Sequence, residues 1–306
     1  MAAPPRAAGW PPAPAGAGGL LLVHTPAGPT SHDVVAAARR ALGERRVGHA
    51  GTLDPAATGL LVVLVGRATR LARFLAELPK RYRGTIRFGW ETTTDDATGE
   101  PLEADDRWRA RTEAEVAQAL KQVAARPDQV PPRVSAKKVS GERAYRVVRR
   151  GEEPALAPVA VRIHSLAAAA VDLATGEVVI DVSCGTGTFV RAIARDVGRE
   201  LGSRAHLRDL RRLAVGPWRV EEAVPLAVVT AGTALPLRSP GEAVAHLPAL
   251  EVSPTEAEAV LHGRRIERPD GREGGPVAVY HAERLLAVAE WRAGRYAPLV
   301  VLGGGP

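Results

Sequence analysis

Between residues 48 and 59 the chain reads Gly-His-Ala-Gly-Thr-Leu-Asp-Pro-Ala-Ala-Thr-Gly, and an unbroken apolar run, 60–65, follows at once. Three glycines, two threonines, one histidine and one aspartate within twelve residues are more constraint than a plain turn needs. Pro55 pushes the residue before it toward an extended backbone. Asp54 is therefore expected to stand out from the loop as an exposed carboxylate. The glycines permit positive φ and close approach of another backbone. Asp-Pro alone opens many turns; it is the whole string that points to a reacting carboxylate. The apolar run is expected as a buried strand.

The rest of the chain alternates strands and helices without a regular repeat. Residues 1–19 are almost all Ala, Pro and Gly, and such a stretch is expected as a disordered tail. A strand is expected at 20–23, then an N-cap at Pro29-Thr30-Ser31 and a helix over 34–42 ended by Gly43. The pattern predicts a helix over 69–78, stopped by Pro79, and a strand at 81–88. It predicts a loop over 91–108 and a helix over 116–125 opened by a Thr112/Glu115 capping box. A strand pair is expected at 159–163 and 177–183, and a helix from Gly187 to Leu201. The class is α+β rather than doubly wound. Near residue 245 the character changes. Ser253-Pro254-Thr255-Glu256 caps a short helix closed by Gly263, and strands are expected at 276–280, 285–290 and 297–302. The expected division is a main domain over 20–245 and a small β-rich domain over 246–306, marginal alone and packed on the main body.

Charge narrows the partner. The formal net charge is +7. Residues 126–151 hold eight basic side chains (Arg126, Arg133, Lys137, Lys138, Arg143, Arg146, Arg149, Arg150) against Asp128 and Glu142, a net +6. Such a segment favours a phosphate backbone through counterion release. The single cysteine, Cys184, excludes an internal disulfide framework and a cysteine metal cluster. Neither a membrane-length apolar run nor a leader pattern is present in the sequence, so a cytoplasmic protein is expected.

The 48–59 string resembles the catalytic loop of the TruB family of pseudouridine synthases. Further motifs follow in the family's order. Thr25-Pro26-Ala27-Gly28-Pro29-Thr30-Ser31 is similar to its opening motif, and Lys80-Arg81-Tyr82-Arg83 to its tyrosine motif. Gln129-Val130-Pro131-Pro132 with Ser135-Ala136-Lys137-Lys138 resembles its RNA-gripping insertion, placed here at 126–156. Cys184-Gly185-Thr186-Gly187-Thr188-Phe189-Val190-Arg191 resembles its arginine motif, and Leu210-Arg211-Arg212-Leu213 its pocket-closing segment. The resemblance covers roughly residues 20–218. It implies a pseudouridine-synthase fold with a mixed, largely antiparallel central sheet and flanking helices.

The resemblance also implies an activity: isomerisation of the T-loop uridine at tRNA position 55, with base flipping and without a cofactor. It assigns Asp54 as nucleophile, Arg191 as the cation that keeps it ionised, and Tyr82 as the ring that stacks on the base and helps remove the C5 proton. Phe189 and Leu210 become apolar walls of the base pocket, and His49 the side chain that stacks into the opened RNA loop. Lys138 and Arg143 become phosphate contacts. No metal, membrane or obligate protein partner is implied, and the expected state is a monomer. Attack at C6 of the base and at C1′ of the ribose both fit. Two positions depart from the family pattern: Thr25 stands where lysine is usual, and Phe189 where tyrosine is common. Two other readings compete. The stretch 178–187 resembles the first motif of Rossmann-type methyltransferases, which would bind S-adenosylmethionine. A non-catalytic tRNA binder or chaperone would use only the basic segment and the C-terminal domain.

Overall fold

The computed structural model describes residues 18–135, 138–139, 142–232, 234–268, 271 and 274–303. Most of the expected tail lies outside the described residues, and Gly19 already belongs to the first strand, Gly19–Thr25. The main body is built on one mixed sheet. Its order is Ile163–Asp172, Glu177–Cys184, Lys80–Phe88, Ala205–Val215, Thr58–Val65, Gly19–Thr25 and Val224–Pro225. Two short strands join at the side: Val47–His49 pairs with Thr58–Val65, and Trp218–Arg219 with Ala205–Val215. Within this sheet the described pairings are antiparallel except two. Val224–Pro225 runs parallel to Gly19–Thr25, and Ala205–Val215 parallel to Thr58–Val65.

The continuous apolar run is explained by burial on both faces. Leu61, Val63 and Val65 pack with Val34, Val35 and Ala38 of the helix Ser31–Leu42. Leu60, Val62 and Leu64 pack on the opposite side with Tyr280, Leu285, Val288 and Val300 of the C-terminal part. The helix is delimited as its sequence suggests. Thr30 and Asp33 form a reciprocal capping box, and Gly43 closes it at φ 61°. Helices Glu113–Ala124 and Val190–Glu200 cover the other half of the sheet, with Val116, Leu120, Ile193 and Val197 against Ile86, Ile180 and Leu207.

The C-terminal part is a five-stranded sheet in the order Ala249–Glu251, Val277–His281, Arg284–Arg292, Arg295–Val301, Ile266–Glu267, with the helix Pro254–Leu261 on it. Its docking is apolar and polar together. It shares the core named above, and Arg67 and Arg70 donate to the carbonyls of Leu302 (3.0 Å) and Val301 (2.6 Å).

Three local expectations change. The segment read as a loop holds a hairpin, Trp90–Thr92 with Pro101–Ala104, and a 3₁₀ turn at Arg107–Ala110. The helix expected over 69–78 is a 3₁₀ turn, Gly66–Leu71, running into the short helix Ala72–Ala76. The partner of Glu177–Cys184 is Ile163–Asp172, not 159–163; Val159–Ala160 pairs with Asp128–Gln129 instead. The methyltransferase reading also fails here. Glu177–Cys184 is antiparallel to both neighbours, so no βαβ unit surrounds the glycine turn that follows it.

Candidate active site

The 48–59 loop leaves the sheet after His49 and returns at Thr58, and it is held from several sides. Ala50 N–H donates to the Val62 carbonyl at 2.9 Å. Buried Ser31 brackets Leu53: its hydroxyl accepts from the Leu53 N–H at 2.9 Å and donates to the Leu53 carbonyl at 3.2 Å. Arg212, only 2% exposed, donates to the carbonyls of Leu60 (2.6 Å), Thr52 (3.0 Å) and Gly51 (3.3 Å). Gly28 N–H donates to the Pro55 carbonyl at 2.8 Å, which ties the opening motif to the loop. Gly59 is where the two parallel strands meet. It has φ +111°, and a Cβ there would lie 2.2 Å from the Arg212 carbonyl oxygen, so only glycine fits.

Asp54 projects from this frame with its side chain 41% exposed. Arg191, on the first turn of Val190–Glu200, is 7% exposed and brings its Nε to 3.0 Å from an Asp54 carboxylate oxygen. The Nε–H is not aimed at that oxygen, so the contact is an ion pair rather than a directed hydrogen bond. The guanidinium is fixed from its other edge. It donates to the Thr94 carbonyl at 2.9 Å and the Val134 carbonyl at 3.3 Å, and faces Asp96 at 3.4 Å. One buried cation therefore serves two carboxylates. Asp96 is itself supported by Thr94 Oγ1 (2.7 Å), Thr98 N (3.0 Å) and Thr98 Oγ1 (2.5 Å).

A second buried set lies one helical turn on. Arg195 pairs with Asp95 at 2.7 Å and with Asp196 at 2.9 Å, and donates to the Val130 carbonyl at 2.8 Å. Burial pushes the Asp95 carboxyl up, and Arg195 and Arg191 pull it down. Asp95 also holds a left-handed φ of 61°, a strained conformation for a residue with a side chain. The insertion, the 91–100 turn and the helix are thus locked together by Arg191 and Arg195.

A cleft of about 240 Å³ opens at Asp54, lined by Arg191, Asp96, Leu207, Asp209 and Leu210 among others. That is below the roughly 300–1,000 Å³ of sites for drug-sized ligands. A larger cleft of about 470 Å³ lies under the insertion, but Asp54 does not line it. Its arginines Arg126, Arg133, Arg195 and Arg199 are already paired with carboxylates.

Comparison with known proteins bears on this geometry. Residues 39–190 match the family model "TruB family pseudouridylate synthase (N terminal domain)", and residues 247–303 match "tRNA Pseudouridine synthase II, C terminal". A tRNA pseudouridine synthase B of Thermobifida fusca is 48% identical over 94% of this chain and 99% of its own length. A protein of the same name from Gloeobacter violaceus is 46% identical over 93% of this chain and 98% of its own. The chain belongs to the TruB family. Among solved structures, an H/ACA RNP bound to a substrate RNA containing 2′-deoxyuridine has a chain with TM-score 0.68 at 20% identity, covering 94% of this chain and 85% of that one. An archaeal box H/ACA Nop10–Cbf5 complex gives TM-score 0.67 at 22% identity, covering 93% and 86%. These two likenesses establish a shared fold.

The TruB-type motifs converge unequally. Asp54, Arg191 and Leu210 line the 240 Å³ cleft. Tyr82 does not line the cleft: it is half-buried, in register with Arg212, and its side chain packs on the cluster beneath the helix Val190–Glu200. Burial pushes its phenol up, while Arg212 pulls it down. Phe189 is half-buried at the N-cap of that helix, its N–H donating to Gln129 Oε1 at 2.9 Å, and does not line the cleft. His49 is half-buried, edge-on to His32 with centroids 5.8 Å apart, and its Nδ1 has no partner among the described residues. Burial, then His32 and Arg212, lower its pKa. Lys138 and Arg143 face each other in a two-strand pairing, Lys138–Val139 with Glu142–Arg143; their side chains lie outside the described residues. Thr25 is 2% exposed, its hydroxyl has no hydrogen-bond partner among the described residues, and it is in register with Gly59.

The basic segment is also less bare than its composition suggests. Arg133 pairs with Glu153, and Arg150 with Glu142 and Glu152. Two of those partners lie just beyond the 126–151 window. Asp95, Asp96, Arg195 and Arg212 carry much of the site's structure and were not among the expected site residues.

Proposed function

We propose that Asp54 is the nucleophile in the conversion of uridine to pseudouridine at position 55 in the T-loop of tRNA, the reaction of this tRNA-modifying isomerase. The observation that carries the reading is the pairing of Asp54 with buried Arg191 at 3.0 Å, at the mouth of a cleft of about 240 Å³. The chemistry is an isomerisation. The C1′–N1 bond breaks, the base turns, C1′ joins C5, the C5 proton is lost and N1 gains one. Atoms and electrons balance within the substrate, so the reaction draws on no cofactor.

Each residue then has a task. The Asp54 carboxylate forms and later releases a covalent bond, which divides one hard step into easier ones. Arg191 supplies the counter-charge beside that carboxylate and orients it. Tyr82 stacks on the base and takes part in removing the C5 proton. Leu210 gives the cleft an apolar wall, and Phe189 reaches the base once RNA is bound. Unstacking the uridine costs a few kcal/mol, and His49 fills the space it leaves. Lys138 and Arg143 hold backbone phosphates. The working form is a cytoplasmic monomer.

The test is chemical mapping of pseudouridine on unmodified tRNA incubated with the protein alone. Modification confined to the T-loop uridine is expected. An unmodified T-loop, or heat of S-adenosylmethionine binding in calorimetry, overturns the reading.

A further inference from the structure

Arg212 is a buried cation without a carboxylate partner among the described residues. It is the largest side chain in the fully buried set, and its guanidinium is spent on three backbone carbonyls. Burying a charge is costly and is offset only by the bonds it makes. Its surroundings show what those bonds hold. Two of the three carbonyls belong to Gly51 and Thr52, just ahead of Asp54. In the sheet, Arg212 lies directly opposite Tyr82 on one side and Gly59 on the other. Paired residues of adjacent strands share a face, with side chains about 5 Å apart. Gly59 has no side chain to obstruct the guanidinium as it reaches across toward the loop.

We propose that Arg212 is a positioning residue of the isomerisation, a single brace that sets the nucleophile's loop and the Tyr82 ring against each other. It acts through Asp54 and Tyr82 and touches no substrate. This rests on the roles given to those two residues above. The hydrogen bonds of Ser31 and Gly28 hold the loop itself, and the Arg212 fork is what relates it to the Tyr82 strand. Lysine does not replace Arg212, because its compact ammonium lacks the extended planar fork that spans the carbonyls of Leu60, Thr52 and Gly51.

The experiment compares wild type, Arg212→Lys, Tyr82→Phe and the double variant in single-turnover pseudouridine formation, with tRNA binding by filter assay and melting by calorimetry. Arg212→Lys is expected to lose on the order of 100-fold in rate, the effect of a displacement near 1 Å at a reacting group. Its tRNA affinity is expected to stay within about threefold of wild type, as for a residue acting only on the chemical step. The losses of Arg212→Lys and Tyr82→Phe are expected to be strongly non-additive. A rate near wild type, an equal loss in affinity, or additive losses overturns the proposal. If Arg212→Lys does not fold, Arg212→Gln, which keeps a planar donor group on a shorter stem, takes its place, and a wild-type rate in that variant overturns the proposal instead. An inactive Asp54→Asn beside a fully active Arg212→Lys removes this inference and leaves the catalytic reading standing; an active Asp54→Asn removes the catalytic reading.

Discussion

Arg191→Met removes one cation and keeps an unbranched stem of similar reach, so it isolates what the charge does. The wild-type guanidinium meets a mostly buried Asp96 at 3.4 Å and a 41% exposed Asp54 at 3.0 Å. Breaking a buried ion pair costs about 3–5 kcal/mol. The lower end applies, because Asp96 keeps its hydrogen bonds from Thr94 and Thr98. The Asp54 half adds about 0–1 kcal/mol, as exposed pairs do. The net expectation is a loss of about 3 kcal/mol. At roughly 2–4 °C per kcal/mol, a little less for a chain this long, melting falls by about 5–10 °C. The rate should fall further. A preorganised charge beside a reacting group is worth on the order of 10²–10³. The assay is single-turnover tritium release from tRNA labelled at uridine C5, run at a temperature where the variant is folded. Buried Arg191 offers no phosphate contact, so tRNA affinity should hold. A melting temperature within about 2 °C of wild type together with a rate within about fivefold would show that the Arg191 charge does neither job. A loss confined to affinity would show the same.

Other expectations follow from charge and burial. Neutralising Lys138 and Arg143 together should weaken tRNA binding and reduce the slope of log affinity against log salt by about 2; an unchanged slope removes the phosphate-gripping role. Burial, with Arg212 adding to it, lowers the Lys80 pKa to about 8 from the ordinary 10.5. Between those values the unfolded chain holds a proton the native state has released, so this group's contribution to stability rises with pH through the window and is lost as pH falls through 8. Wild type should therefore gain on Lys80→Met from pH 8 to 10.5, by on the order of 3 kcal/mol. Denaturant melts at several pH values check it, and a constant difference contradicts it.

Features written in short-range chemistry were legible in the sequence. Thr30, the Thr112/Glu115 box and the Ser253/Glu256 box all cap helices as read. The apolar run at 60–65 lies buried in the strand Thr58–Val65. What escaped depends on partners distant in the chain. Ile163–Asp172 was misplaced because four successive alanines, 167–170, give little strand signal. Ala205–Val215 crosses the middle of the sheet with charges along its length, and no clean alternation marks it. Asp96 sits in a polar stretch that reads as loop, and only Arg191, 95 positions later, gives it meaning. Arg212 was visible within a motif, but its bonds to Gly51 and Thr52 span about 160 residues.

In the proposed reaction the Asp54 carboxylate does covalent chemistry on a T-loop uridine while other parts of the chain hold the RNA. Asp54→Asn tests it most directly, with pseudouridine mapped on T-arm transcripts and tRNA affinity measured on the same preparation. No detectable pseudouridine and an affinity close to wild type are expected. Pseudouridine formed by the Asn variant would contradict the nucleophile role.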